Sequence, residues 1–172
     1  HNLTINATDY TNHTNNSEFI TVTIDNSYPS VSFLTPLHLQ NRSRAINVTV
    51  VGIDTTTGIQ ALKVQNGTNG NWIPLALSAG TKNNGNWSAL FDTISVSDGA
   101  LALALNATDY AGNSNSSEFI TIIIDNTNPK IFKYNGNVVT NATLRGKVII
   151  NVTANDTITG IQKLNFSITD AS

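Results

Sequence analysis

All-β architecture, built as two-layer sandwiches repeated in tandem, is the fold class this sequence predicts. Three observations carry the prediction. First, a paragraph of sequence is written twice: Leu3-Thr4-Ile5-Asn6-Ala7-Thr8-Asp9-Tyr10 and its continuation to Pro29 return as Leu103 to Pro129, with sixteen of 29 positions identical between 1–29 and 101–129. A period of about 100 residues means tandem units, each large enough for its own modest core. Second, the segments between turns alternate apolar and polar residues with period two, as half-buried strands do. Third, Asn-Gly pairs at Asn66-Gly67, Asn69-Gly70 and Asn84-Gly85 punctuate the chain at hairpin spacing.

Taken in order, residues 1–26 match the end of a unit, 27–126 make one complete unit, and 127–172 match the beginning of a third. Fragments of 26 and 46 residues cannot each bury a core. In the complete unit, Val31 and Phe33 follow Pro29. Ile46, Val48, Val50 and Gly52 then alternate with Asn47, Thr49 and Val51, and Leu62 and Val64 follow a Thr-Gly-Ile turn. The middle offers strands at Trp72–Leu77, Trp87–Phe91 and Thr93–Val96. A closing hairpin follows, with Leu101, Leu103, Leu105 and Ala107 on one face of its first strand and Ile120, Ile122 and Ile124 on one face of its second. The earlier copy repeats the pattern with Leu3, Ile5 and Ala7, then Ile20, Val22 and Ile24. About seven short strands per unit, without a helical period anywhere, predict a two-sheet sandwich of immunoglobulin-like type.

Composition removes several function classes. Charged residues make up 12% of the chain, nine basic and eleven acidic, scattered and summing to −2. Nucleic-acid binding needs a basic footprint that this chain lacks. No run of 18 apolar residues is long enough for a membrane-spanning helix. Catalysis needs a placed nucleophile or acid–base pair. The three histidines, His1, His13 and His38, are not repeated and fall at a terminus or in polar loops, so no enzymatic role is expected. Trp72 and Trp87 suit core or sheet-edge packing, with a sugar-stacking platform as the other reading.

Asparagine gives the compartment. With 25 Asn and 37 Ser plus Thr, chance would place Ser or Thr two residues after Asn roughly five times. The chain has 14 such sequons, at Asn2, Asn6, Asn12, Asn15, Asn41, Asn47, Asn66, Asn86, Asn106, Asn115, Asn141, Asn151, Asn155 and Asn165. One reading is that Asn and Thr co-occur because both suit turns and exposed faces. The other, favoured here, is N-linked glycans on an extracellular, cell-surface protein. Asn2, Asn6, Asn47, Asn106, Asn151 and Asn165 fall opposite the apolar faces, as a glycan requires.

Three motifs carry a family resemblance: Asp54-x-x-Thr57-Gly58-Ile59, Ala107-Thr108-Asp109-Tyr110-Ala111-Gly112-Asn113, and Ile124-Asp125-Asn126-Thr127-Asn128-Pro129. On these motifs the chain resembles the bacterial and archaeal immunoglobulin-like tandem repeats of large surface proteins, of S-layer, stalk or adhesin type. The first copy departs from the second motif, with Thr11-Asn12-His13 in place of Ala111-Gly112-Asn113. The resemblance implies a hard cation, Ca²⁺, at the junctions, bound by Asp25, Asn26 and Asp54 at one and by Asp125, Asn126 and Asp156 at the next, with Asp109 and Asn113 as additions. The alternative is that each Asp closes its own turn. Asp92 and Asp98 show no counterpart in the other units.

The expected function is therefore structural: a repeat of a glycosylated surface layer, stalk or filament whose partners are adjacent repeats or further copies of itself. An adhesin module binding glycans or a neighbouring cell, and an accessory domain of a secreted hydrolase, are the alternatives. The two partial units are expected to leave Leu3, Ile5, Ile20, Val22 and Ile24, and Val148, Ile150, Val152, Leu164, Phe166 and Ile168, unburied unless the chain continues or a neighbouring copy completes them.

Overall fold

The computed structural model describes residues 1–67, 70–132, 152–165 and 167. Expectations placed on Asn141, Val148, Ile150, Asn151, Phe166 and Ile168 lie outside the described residues. Every regular element among the described residues is a strand. The chain is all-β, with several sheets.

The first four strands, β1 (Asn2–Thr4), β2 (Ala7–Thr8), β3 (Thr14–Asn15) and β4 (Phe19–Thr21), form a small antiparallel hairpin system. A four-stranded antiparallel sheet follows from β5 (Ser30–Thr35), β7 (Ala45–Ile53), β10 (Ala76–Gly80) and β11 (Asn84–Asp92), in the order β10-β11-β7-β5. The opposing sheet contains β6 (Asn41–Arg42), β8 (Ile59–Asn66), β9 (Trp72–Pro74), β12 (Gly99–Asp109) and β14 (Phe119–Ile124), in the order β6-β14-β12-β8-β9. Within it, β13 (Ser114–Asn115) pairs with β12. Among the described strands only β6 runs parallel to its neighbour, β14. Strands β15 (Lys130–Phe132) and β16 (Thr153–Asn155) pair with each other beyond the second repeat junction.

The inward residues are those the alternation selects. Val31, Ile46, Val48, Val50, Trp87 and Phe91 from the four-stranded sheet meet Leu62, Val64, Leu103, Leu105, Ile122 and Ile124 from the other. Each such aliphatic side chain contributes about 1.5–3 kcal/mol on full burial. This packing of two sheets around one core is consistent with a β-sandwich. The terminal hairpins agree in register as well as sequence: Leu3 lies opposite Ile20 as Leu103 lies opposite Ile120, and Ala7 opposite Asn15 as Ala107 opposite Asn115. They differ in cover. Leu103 is 1% exposed, whereas Leu3 is 52% exposed.

Three strand expectations are corrected. Trp72–Leu77 is not one strand: Pro74 lacks the N–H that a ladder needs and ends β9. The buried Leu75 drops between the sheets with its N–H on the Leu62 carbonyl, and the chain resumes as β10 in the opposite sheet. Thr93–Val96 is a turn, closed by Val96 N–H donating to the Thr93 carbonyl and Ile94 N–H donating to Asp92. Asn84-Gly85 opens β11 and is not a hairpin turn. Glycine is needed there because a Cβ at Gly85 would come within 2.4 Å of the Thr81 carbonyl oxygen. Of the two tryptophans, Trp87 is in the core and Trp72 is 42% exposed on β9, so they form no common platform.

Candidate functional site

The pole of the sandwich next to the first repeat junction is built from three loops. The turn between β7 and β8 starts at Asp54, whose Oδ1 accepts the N–H groups of Thr56, Thr57 and Gly58 at 3.2, 3.0 and 2.8 Å. Gly58 has a φ of +83°, a left-handed conformation that suits glycine at the end of such a turn. The 81–83 loop pins this turn from the side, through Asp54 N–H to the Asn83 carbonyl and Ile59 N–H to the Lys82 carbonyl. The second loop joins β12 to β13, where Asp109 Oδ1 accepts Asn113 N–H and Asp109 Oδ2 accepts the Asn113 side-chain amide, each at 2.8 Å. The third is the junction peptide. Asp25 Oδ1 accepts Ser27 N–H at 2.9 Å, and Asp25 Oδ2 accepts the Thr57 hydroxyl at 2.6 Å.

Asn113 ties two of these loops together. Its Nδ2 also donates to the Asp25 carbonyl at 3.1 Å. Two residues further on, Asn115 Nδ2 donates to the Pro29 carbonyl at 2.9 Å. The junction peptide is thereby held by the unit that follows it.

Three carboxylates meet as a result. Asp25, Asp54 and Asp109 are 8%, 4% and 0% exposed, and one oxygen of each lies within 4.8 Å of the other two. Each carboxylate closes its own turn, and the three turns converge. Burial works against the Asp109 charge, but the Asn113 side chain and the backbone N–H groups of Asn113, Gly112 and Ala111 outweigh it and hold the carboxyl below its ordinary value. Among the described residues the one ion pair is His13 with Asp9, so no Lys, Arg or His neutralises the three acids. Lys82 is nearby, but its ammonium lies 4.6 Å from the centre of the Tyr110 ring and contacts the Tyr110 hydroxyl.

Asn26 is exposed. At the second junction, Asp156 Oδ1 accepts the N–H groups of Ile158, Thr159 and Gly160, and the Thr159 hydroxyl donates to Asp125 Oδ2 at 2.5 Å. This repeats the arrangement of Asp54, Thr57 and Asp25. Asn126 points away from these acids and into the preceding unit. Its Oδ1 accepts Arg44 N–H at 3.0 Å, and its Nδ2 donates to the carbonyls of Thr93 at 2.7 Å and Val96 at 3.3 Å.

Asp98 is the residue that repeat logic missed. Its Oδ1 accepts Asn126 N–H at 2.6 Å, and its Oδ2 accepts the Thr127 hydroxyl. Its segment has no second copy in this chain, so recurrence gave no signal. The only hint was an Asp-Gly pair directly before a strand.

The sequon asparagines divide by environment. Asn2, Asn6, Asn12, Asn15, Asn41, Asn47, Asn155 and Asn165 are exposed, and Asn66, Asn86, Asn106 and Asn115 are half-buried. Asn115 is engaged at both ends: its Oδ1 accepts the N–H and hydroxyl of Ser117 while its Nδ2 holds Pro29.

A family model described as a domain of unknown function, DUF7743, matches residues 23–144. The chain belongs to the DUF7743 family. No curated protein matches it. Among solved structures, an endo-β-1,4-mannanase from Thermotoga petrophila is 16% identical with a TM-score of 0.49, over 60% of this chain and 21% of that one. The SrpA adhesin of Streptococcus sanguinis, as its R347E mutant, is 16% identical with a TM-score of 0.45, over 62% of this chain and 64% of that one. The sulfane dehydrogenase SoxCD of Paracoccus pantotrophus is 10% identical with a TM-score of 0.43, over 64% and 27%. This DUF7743 chain thus spans about a fifth of the mannanase and less than two thirds of the adhesin.

Proposed function

We propose that this DUF7743 chain is a stretch of tandem immunoglobulin-like repeats in an extracellular, glycosylated surface layer, stalk or filament, with a hard cation held where one repeat meets the next. The observation that carries the reading is the mismatch between the two copies of the hairpin. The same residues are buried at Leu103 and Ile124, 1% and 0% exposed, but open at Leu3 and Ile24, 52% and 56% exposed. A face written for burial and left open is one that a partner surface covers in the array proposed here. The strand order of the two sheets supports the immunoglobulin-like assignment. The order β10-β11-β7-β5 follows the D-E-B-A arrangement of that fold, and β14-β12-β8 follows G-F-C.

Calcium is the cation favoured for the Asp25, Asp54 and Asp109 cluster. Three carboxylates supply oxygen ligands of the hard kind that Ca²⁺ takes. Among the described residues no basic side chain pairs with the three acids, so the negative charge gathered there is open to a cation. Adding Ca²⁺ should raise the unfolding temperature of the chain, with an affinity on the order of 10⁻⁴ to 10⁻³ M, and Asp54→Asn should abolish the response. An unfolding temperature indifferent to Ca²⁺ and chelator would remove the cation from the proposal. The adhesin reading is less supported, because only Trp72 of the two tryptophans is accessible to a sugar.

A further inference from the structure

We infer, on the tandem-array reading, that the Asp-Asn pair at each junction is a two-sided peg: the preceding repeat grips the asparagine, the following repeat grips the aspartate, and the pair fixes the angle between the two. The second junction shows both grips. Asn126 is a half-buried residue with five hydrogen bonds to the repeat before it. Its N–H donates to Asp98, its Nδ2 donates to the Thr93 and Val96 carbonyls, and its Oδ1 accepts from Arg44 N–H and, at 3.5 Å, from the Thr93 hydroxyl. Arg44 is itself held in place with a φ of +58°, and its carbonyl accepts Thr93 N–H and the fully buried Thr93 hydroxyl. One residue earlier, Asp125 receives the Thr159 hydroxyl of the following repeat.

The first junction repeats the aspartate half of this division. Asp25 is gripped by the following repeat through Thr57 and Asn113. The aspartate grip thus forms at both junctions. Neighbouring domains joined by a short polar linker ordinarily move against each other unless a large apolar interface stops them. Here the backbone step between two adjacent residues is clamped from both sides, so little torsional freedom is left at the joint.

The test uses the natural absence of cysteine in this chain. Spin labels on Ala76→Cys in the middle repeat and Gln162→Cys in the following segment, both at exposed positions, report the distance distribution across the joint by pulsed electron resonance. The unmodified joint should give one narrow distribution, and Asn126→Ala should broaden it about twofold as domain motion returns. Thr159→Val, which removes the downstream grip and leaves Asn126 in place, should broaden it as well, so a folding defect in one variant leaves the other to decide. Leu90→Ala, on the exposed outer face of β11, should leave the width unchanged. A distribution that is already broad in the parent, or equally narrow in both junction variants, overturns the peg. Protein without glycans and without added cation suffices, so failure here is separate from failure of the glycan or calcium proposals.

Discussion

Truncating one leucine at two equivalent places should give two very different costs. Leu103 and Leu3 hold the same place in the repeat and face the same partner, Ile120 or Ile20. At Leu103 the side chain is 1% exposed among Leu105, Ile122 and Val64, so Leu103→Ala loses transfer energy and leaves a cavity, about 2–5 kcal/mol in all. At Leu3, 52% exposed, about half of the transfer term has already been forfeited and no cavity can form, so Leu3→Ala should cost about 1 kcal/mol or less. Urea unfolding followed by the fluorescence of the buried Trp87 reads the middle unit, and far-ultraviolet circular dichroism reads all strands including the first hairpin, so midpoint and slope from the two give both values. Leu103→Ala should shift the midpoint strongly and Leu3→Ala barely at all. Equal shifts would refute the reasoning, because they would mean that the Leu3 face is already covered in the isolated chain and needs no neighbour.

Two further predictions concern the surface. Native protein should carry glycans at exposed sequons such as Asn6 and Asn47, and Asn115 should be bare because its amide is committed to Pro29; glycopeptide mass mapping that finds sugar on Asn115, or that finds the Asn6 and Asn47 peptides bare, counts against this. Asp98 has its pKa lowered from 3.8, first by the Asn126 N–H and then by the Thr127 hydroxyl. A depressed folded pKa contributes stability that is complete above the unfolded value and lost as pH falls through the folded one. The junction should therefore loosen only below about pH 4, and label distances across it that are unchanged from pH 6 to pH 2 would contradict the role given to Asp98.

Much of the sandwich was legible in the sequence because period two is a local signal. The sets 46, 48, 50 and 103, 105, 107 emerge buried, and Asn47 emerges exposed on the opposite face. The gathering of Asp25, Asp54 and Asp109 was legible through recurrence, since each of these acids returns or has a forerunner in another copy. What recurrence could not reach was the part of the unit present once. There an Asn-Gly pair reads as a turn until the close approach of the Thr81 carbonyl and the Leu77 side chain shows why glycine belongs inside β11. In the same stretch the apolar run Trp72–Leu77 hid a change of sheet, because Leu75 is inward-facing in either reading and only Pro74 marks the break.

The free borders of the two sheets have a consequence for pairing between chains. The outermost strand β10 is exposed along its length and kinked by a bulge between Leu77 and Ala79, and β5 on the other side carries an irregularity between Phe33 and Thr35. In the opposing sheet the border strands are the two-residue β6 and the three-residue β9, which ends in proline. None of these borders offers a long flat row of unpaired N–H and C=O groups to another chain. The borders of the two sheets are thereby poor templates for edge-to-edge pairing into a continuous cross-β ribbon.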